Sequence, residues 1–229
     1  MTSESIGICG YATSILQLIG ESYGRHCLAL AWREFNFESG QSVPAGDSLA
    51  GLSVRRPMGQ PFVEDDPHSE LFFSWLFHRW SPQLEQGYQL DDHTLYGVPP
   101  TCAYLARNAG LSPTLREYLE TCLTTPFSFY QVLDCNPYTD FNARDLLTRE
   151  EFSVNDAVAA STLKREDIIF AHIPIIEEVG ILDAISPFSF PPSFKARLSR
   201  RRRQQRFRER DDQALRKLYF TLLEAYSRG

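Results

Sequence analysis

The sequence has no long apolar run. None of its stretches approaches the roughly 18 consecutive apolar residues that a membrane-spanning helix requires. Its N-terminal residues contain neither a charged segment nor a clear cleavage site, so we expect no secretory signal peptide. Its five cysteines are widely separated and odd in number, which favours reduced thiols over a disulfide scaffold. These absences predict a cytoplasmic protein that does not interact with a membrane.

Motifs that carry catalysis or metal binding are also missing. Gly7, Gly10 and Gly20 fit neither the phosphate-binding loop nor the dinucleotide fingerprint. The sequence contains no Gly-x-Ser-x-Gly elbow and no His-Glu-x-x-His motif. His26 and Cys27 are adjacent, and neighbours on a helix project about 100° apart, so they are poorly placed to share one metal ion. We therefore predict no cofactor and no metal, and we favour a protein that is not an enzyme.

What the sequence does contain is a globular composition, with 43% hydrophobic residues in 229. Such a chain can bury a sizeable core, as one large domain or two small ones. We predict a mainly helical block over residues 1–125, a small β module over 126–192 and a helical arm over 193–229. Helical spacing and capping residues place the helices of the block at residues 1–37 (two helices), 68–80, 99–108 and 112–123. A loop rich in glycine and proline is predicted over residues 38–63.

The β module is predicted from short alternating runs separated by turn residues. Phe127 begins an extended run, and Asn136 to Asp140 form a strong turn signal around Pro137. The run from Ile168 to Ile176 is short, apolar and rich in β-branched residues, as in a buried strand. Pro174 cannot donate a ladder hydrogen bond, so the end of that run belongs at a sheet edge or a bulge. Five or six such strands predict a small antiparallel barrel or curled sheet, and the whole chain an α+β fold.

Four stretches of this module carry a resemblance to a known group of proteins. They read F-S-F-Y-x-V, D-F-N-A-R-D-L-L-T, A-S-T-L-K and D-I-I-F-A. The pattern resembles uncharacterised bacterial proteins that often carry a zinc-binding SEC-C motif near their C-terminus, and the likeness extends over about two-thirds of the chain. Its most specific part is the block from Arg144 and Asp145 to Thr148. This sequence contains no Cys-x-Cys tail of the SEC-C type, so the resemblance implies no zinc site and no activity here.

Charge is distributed unevenly along the chain. Lys195 to Arg210 contains nine basic residues and one acidic residue, so this segment carries +8 and the remainder −14 of a net −6. We predict a helix from Phe194 to Arg210, followed by an amphipathic helix from Asp211 that packs on the body or on another chain. The arginines that we predict to form a binding surface are Arg200, Arg201, Arg202, Arg203, Arg206, Arg208 and Arg210. A solvated or internally neutralised helix is the simpler interpretation.

Three functional hypotheses follow from these observations. The first is a binding or adaptor protein that engages a protein partner, with an oligomeric state that the sequence does not indicate. The second is a nucleic-acid-binding protein, because several arginines can neutralise phosphates. The third is a metal-dependent hydrolase that uses carboxylates of the β module, namely Asp134, Asp140 and Asp145, beside which Glu150 and Glu151 also lie.

Two further details of the β module lead to structural expectations. Arg144 and Asp145 are neighbours on a predicted strand and therefore face opposite sides, so each is expected to tie a turn to a neighbouring strand. His172 lies inside the apolar run. It is expected to be a buried histidine that is hydrogen-bonded to the backbone or to an acid in the core, rather than a ligand.

Overall fold

The computed structural model describes residues 8–23, 25–37, 65–83, 90, 92–198 and 211–227. The chain forms two compact units, the first made of residues 1–9 and 111–216 and the second of residues 10–110 and 217–229. The predicted β module lies inside the first unit, and the predicted arm is divided between the two. Within the described ranges, no helix has the length and apolar character needed to span a membrane. The predicted loop over residues 38–63 lies outside the described residues.

Seven α-helices have defined bounds in the described part of the chain. They are α1 (Ile8–Ser22), α2 (Arg25–Phe35), α3 (Ser69–His78), α4 (Pro100–Arg107), α5 (Pro113–Thr124), α6 (Ala157–Thr162) and α7 (Asp212–Ser227), with a 3-10 turn at His93–Leu95. The prediction of two helices within residues 1–37 is confirmed. The start of α5 is also confirmed, because the Ser112 hydroxyl accepts a hydrogen bond from the Leu115 amide at 3.3 Å and Pro113 occupies the first turn. Residues 194–198 are helical, and the rest of the predicted basic helix lies outside the described residues.

The second unit has a core of aromatic side chains. The rings of Trp32 and Phe72 meet edge to face at 4.8 Å, and Phe35 meets Phe220 of α7 in the same way at 5.6 Å. Edge-to-face pairs of this kind add to the hydrophobic gain from burial. The aromatic and leucine side chains of α3 are therefore core. The apolar stripe of α7 is buried as well, so it packs within this chain.

Seven strands form one mixed sheet in the described part of the first unit. They are β1 (Ser128–Asn136), β2 (Asp140–Asp145), β3 (Glu151–Val154), β4 (Ile168–His172), β5 (Ile175–Ile176), β6 (Val179–Gly180) and β7 (Ala184–Ile185). Their order is β5-β6-β3-β2-β1-β4-β7. The fold is α+β, and the sheet curls into a half-barrel. Strand β5, which follows Pro174, lies at the sheet edge as predicted.

The sheet differs from the antiparallel prediction in one pair of strands. Strands β3 and β6 run parallel, and Val154 pairs with Gly180. Strand β6 forms a local hairpin with β5. Its pairing with the distant β3 has no such local connection, so tertiary packing fixes it. The register of β1 against β2 shifts between Val132 and Asp134, and such bulges increase local twist and bending.

The two faces of the sheet have different surroundings. One face, which we call the inner face, carries a buried apolar cluster that includes Tyr130, Val132 and Ile169, and helix α6 contributes Ala159 and Ala160 to it. The other face, the outer face, carries Arg144 and Glu151 over strands β2 and β3. On β1 and β4 the outer face is apolar and buried as well, where Phe129, Ile168 and Phe170 pack, so exposed polar residues occupy it only over β2 and β3.

Candidate functional sites

The predicted arginine surface, Arg200 to Arg203 with Arg206, Arg208 and Arg210, lies outside the described residues. The residues on either side of it are well anchored. The Lys195 ammonium donates to the Gln131 side-chain oxygen at 2.8 Å, and the Phe127 amide donates to the Asp212 carboxylate at 3.0 Å. Gln131 belongs to β1, and Phe127 comes directly before it. The chain therefore enters and leaves the basic segment beside the same strand of the first unit.

Arg144 and Asp145 face opposite sides of β2 and have different structural roles. Arg144 forms a half-exposed ion pair with Glu151 of β3, at 2.6 Å from its terminal nitrogen. Exposed pairs of this kind contribute little to stability. Asp145 is 2% exposed, and its carboxylate accepts from the amides of Leu147 at 2.6 Å and Thr148 at 3.1 Å. It therefore holds the β2–β3 turn in place, as expected, whereas Arg144 pairs with its cross-strand neighbour and ties no turn.

The carboxylates proposed for a hydrolase are not gathered into one site. Asp134 is exposed, Asp145 is buried on the inner face, and Asp140 accepts from the Asn136 side-chain amide at 2.8 Å at the base of the β1–β2 turn. Glu150 and Glu151 complete the set, and all five residues lie within the described ranges. No three of these carboxylates lie close enough together to hold one metal ion. The hydrogen bonds of turns explain the positions of Asp140 and Asp145.

Two apolar side chains are strongly exposed, Tyr138 in the β1–β2 turn and Val158 on α6. Tyr138 is 81% exposed and Val158 is 77% exposed, more than any other large apolar side chain in the described residues. The Tyr138 amide donates to the Ser161 hydroxyl at 3.3 Å, so the turn lies against α6. Ser161 and Val158 are three residues apart and are neighbours on the helix surface. We call this pair, Tyr138 and Val158, the hairpin-end surface.

Tyr138 has a backbone conformation that does not suit tyrosine. Its φ is +67°, in the left-handed region. It is the third residue of a turn that closes through the Thr139 amide and the Asn136 carbonyl at 3.1 Å, with Pro137 second. Proline followed by a positive φ is the pattern of a type II turn, whose third position favours glycine. A bulky residue in this conformation costs on the order of 1–2 kcal/mol, so the local backbone does not explain why tyrosine occupies the position.

Several acidic residues lie on the elements that carry the hairpin-end surface. Burial raises the pKa of the Cys135 thiol, and the charges of Asp134 and Asp167 raise it further, which places both carboxylates near this residue of β1. Asp156 precedes α6 and accepts from the Ala159 amide at 2.8 Å. Asp140, two residues after Tyr138, accepts from the Asn136 side-chain amide.

A second group of interest is buried beneath α5. The His172 ring, in β4, lies 2.8 Å from the Asp183 carboxylate through Nδ1 and 2.8 Å from the Thr125 carbonyl through Nε2. The Tyr118 hydroxyl donates to the other Asp183 oxygen at 2.5 Å. Cys122 lies one helical turn after Tyr118, and its sulfur lies within 4.8 Å of the ligand atoms of His172 and Asp183. We call Tyr118, Cys122, His172 and Asp183 the His172 cluster.

Hydrogen-bond roles fix the protons of this cluster. A carbonyl oxygen can only accept, so Nε2 of His172 carries a hydrogen. One further proton then lies between Nδ1 and the Asp183 carboxylate, on one atom or the other. The expectation that His172 is bonded to the backbone and to a core acid is confirmed. Sequence reasoning found His172 from its apolar surroundings, but Asp183, Tyr118 and Cys122 have no spacing pattern that would have revealed them.

Comparison with known proteins adds no identification. No protein-family model, curated protein or solved structure matches this chain.

Proposed function

We propose that this protein is a non-catalytic binding protein that engages a partner protein through the hairpin-end surface. The observation that carries the proposal is Tyr138, an 81% exposed aromatic residue with a left-handed φ of +67°. Strained positions persist where function requires them. Tyrosine is also enriched among the side chains that dominate protein interfaces, since its rigid ring buries a large area at low entropic cost.

The surroundings of Tyr138 define the chemistry of the partner. Val158 extends the apolar contact, and the carboxylates of Asp134, Asp140 and Asp156 flank it. We infer that the partner presents an apolar pocket with a basic rim, because complementary charges speed association and exclude wrong partners. We place this role in the cytoplasm, in keeping with the reduced state of Cys27, Cys102, Cys122 and Cys135, which form no disulfide bond among the described residues.

Site-specific photo-crosslinking in cells of the native host tests the proposal. Benzoylphenylalanine replaces Tyr138 in the full-length chain, and replaces Tyr226 of α7, which is 42% exposed, as the matched control. We expect a discrete crosslinked protein from position 138 and none from position 226. The same partner, once purified, is expected to bind Tyr138→Ala and Val158→Asp at least about thirtyfold more weakly, since removing one interface hot spot costs about 2 kcal/mol or more.

Either of two results would contradict the proposal. One is that positions 138 and 226 yield the same crosslinked proteins, which would show non-specific contact rather than binding. The other is a partner that binds Tyr138→Ala and wild type equally. A crosslink to a second copy of this chain would identify the partner as the protein itself.

A second candidate function is nucleic-acid binding by the basic segment. The observation that favours it is the anchoring of both flanks beside β1, through Lys195–Gln131 and Phe127–Asp212. By sequence, Lys195 to Arg210 carries a charge of +8. Deleting the chain after Pro192 is a poor test, because it also removes α7, whose apolar side chains are buried.

Charge substitution in the full-length chain is the better test. Binding of a mixed-sequence duplex and of single-stranded RNA is measured between 50 and 200 mM salt for wild type and for the variant with Arg200 to Arg203 changed to glutamine. Each lost phosphate contact is expected to reduce the slope of log K against log salt by about 0.7–0.9. Absence of binding by wild type at low salt, or an unchanged slope, rules out this candidate.

A further inference from the structure

We propose that Cys122, His172 and Asp183 form a structural zinc site that ties α5 to strands β4 and β7. Thiolate, imidazole and carboxylate are the three ligand types that zinc takes in proteins. Cys122 belongs to α5, His172 to β4 and Asp183 to the loop directly before β7, and one ligand atom from each lies within 4.8 Å of the others. Their side chains are buried, so the ligands are already gathered in the interior of the first unit.

The distances are those of a site that needs only small rearrangements. Zinc bonds of about 2.0–2.3 Å place neighbouring ligand atoms about 3.3–3.6 Å apart in a tetrahedron. Nδ1 of His172 and the Asp183 oxygen, now 2.8 Å apart, would separate by about half an ångström. The Cys122 sulfur would move inward by about an ångström at most. Side-chain rotations supply such shifts, and the three residues leave the fourth position of the tetrahedron to a water molecule.

The hydrogen bonds around the three ligands are those that a zinc site uses. A zinc-bound histidine usually donates its second ring N–H to a carbonyl or a carboxylate, and this fixes the ring orientation. Nε2 of His172 donates to the Thr125 carbonyl at 2.8 Å, which leaves Nδ1 directed at Asp183. Ligating carboxylates are themselves hydrogen-bonded, and the Tyr118 hydroxyl donates to the Asp183 oxygen that does not face His172.

Charge balance favours the ion as well. Zinc binding expels the thiol proton of Cys122 and the proton that His172 and Asp183 share. The products are a thiolate, a carboxylate and a neutral imidazole around Zn²⁺, with no net charge. A neutral assembly is the form in which charged groups are tolerated in a protein interior. Two protons leave and one divalent cation enters, so both charge and atoms balance.

The experiment uses the full-length protein, freed of metal with a chelator and then titrated with zinc or cobalt. We expect one equivalent of zinc per chain by elemental analysis after gel filtration. Cobalt should produce a thiolate-to-cobalt charge-transfer band in the near ultraviolet. Stoichiometric zinc is also expected to raise the melting temperature by at least about 5 °C, since a ligand of the folded state stabilises it.

Variants separate this site from other thiols. Cys122→Ser and Asp183→Asn are expected to lose stoichiometric zinc, and Cys122→Ser the cobalt band. Cys135→Ser, the matched control, keeps both. Tyr118→Phe leaves all three ligands in place and is expected to weaken zinc binding about 10–100-fold, the usual effect of removing an outer partner. Competition with a chromophoric chelator measures the affinities.

Two results would overturn the proposal, and the first does not depend on the folding of any variant. A wild-type chain that takes up neither zinc nor cobalt stoichiometrically overturns the proposal. A cobalt band that persists in a folded Cys122→Ser variant, as judged by circular dichroism, overturns it too. The result is independent of the hairpin-end surface, since none of the substitutions changes Tyr138 or Val158.

Discussion

Gly180 has three close neighbours in the inner face of the sheet. A Cβ at this position would lie 2.9 Å from a methyl of Ile173, 3.0 Å from the Phe152 ring and 3.0 Å from a methyl of Val154. These side chains pack in or against the buried cluster and cannot move aside freely. We expect Gly180→Ala to lower the free energy of unfolding of the first unit by about 1–3 kcal/mol, the usual cost of overpacking. Urea unfolding followed by circular dichroism measures it.

Gly110→Ala is the matched control for this substitution. A Cβ at Gly110 meets no atom within 4 Å, and the residue has no positive φ. We expect its unfolding midpoint to stay close to that of the wild type. Equal midpoints for the two variants would show that the neighbours of Gly180 relax, and that the tight packing around it does not constrain the parallel β3–β6 pair.

Residue roles were predictable from the sequence where the cause is local. The tying role of Asp145 follows from its position beside a turn, and the buried role of His172 from the apolar run around it. The exposure of Tyr138 was not predictable, because Pro137 indicates a turn but not which way the next side chain points. The partners of His172 were not predictable either, since Asp183 and the Thr125 carbonyl reach it only after folding.

At the scale of elements, the β5–β6 hairpin has an unusual turn. Ile176 pairs with Val179, so Glu177 and Glu178 form a two-residue loop with φ values of +48° and +66°. Positive φ at both positions defines a type I′ turn, for which Asn-Gly is strongly preferred. We expect the double variant Glu177→Asn, Glu178→Gly to raise the free energy of unfolding by about 1 kcal/mol, because it relieves left-handed strain.

The control for the hairpin is Arg165→Gly. Arg165 lies in the turn before β4, and its φ is not positive. Glycine relieves no backbone strain at this position, and it increases the conformational entropy of the unfolded chain. We therefore expect the free energy of unfolding to fall by about 0.5–1 kcal/mol. Thermal unfolding of both variants beside wild type gives the comparison. If the two variants shift the unfolding midpoint in the same direction, backbone strain at Glu177 and Glu178 does not reduce the stability of the hairpin.

Helices with clear boundary residues were the predictable elements, and short or non-local elements were not. Ser112 and Pro113 place the start of α5 from the sequence alone. Helix α6 was missed although Asp156 caps it through the Ala159 amide, because six residues are too few to show a helical period. The parallel pairing of β6 with β3 was missed because no short-range pattern specifies it.

At the scale of the whole molecule, the predicted arm proves to have two different parts. Residues 194–198 and the start of α7 belong to the first unit, and Lys217 onward belongs to the second. The amphipathic stripe of α7 is buried within the chain, whereas the arginines between the two parts stay a prediction. The helical spacing of apolar residues predicted the apolar stripe of α7. That spacing could not show whether the stripe packs within this chain or on another one.

Buried acids with raised pKa values make the molecule sensitive to alkali. Burial raises the pKa of the Cys27 thiol from 9.0 to about 11, and it raises the pKa values of Cys102, Tyr23 and Tyr219 in the same direction. Between pH 9 and 11 the unfolded chain loses a proton at Cys27 that the folded chain keeps. The unfolded state then binds fewer protons, so stability falls as the pH rises through this window.

We therefore expect the free energy of unfolding of the second unit to fall between pH 9 and 11, with Cys27 contributing about 2–3 kcal/mol of the loss. All three tryptophans lie in this unit, so tryptophan fluorescence during urea unfolding reports on it. Cys27→Ala is less stable at every pH because a buried side chain is truncated, but its curve should be flatter by the contribution of one proton. Parallel curves for the two proteins would show that the Cys27 thiol ionises in the folded and unfolded states alike.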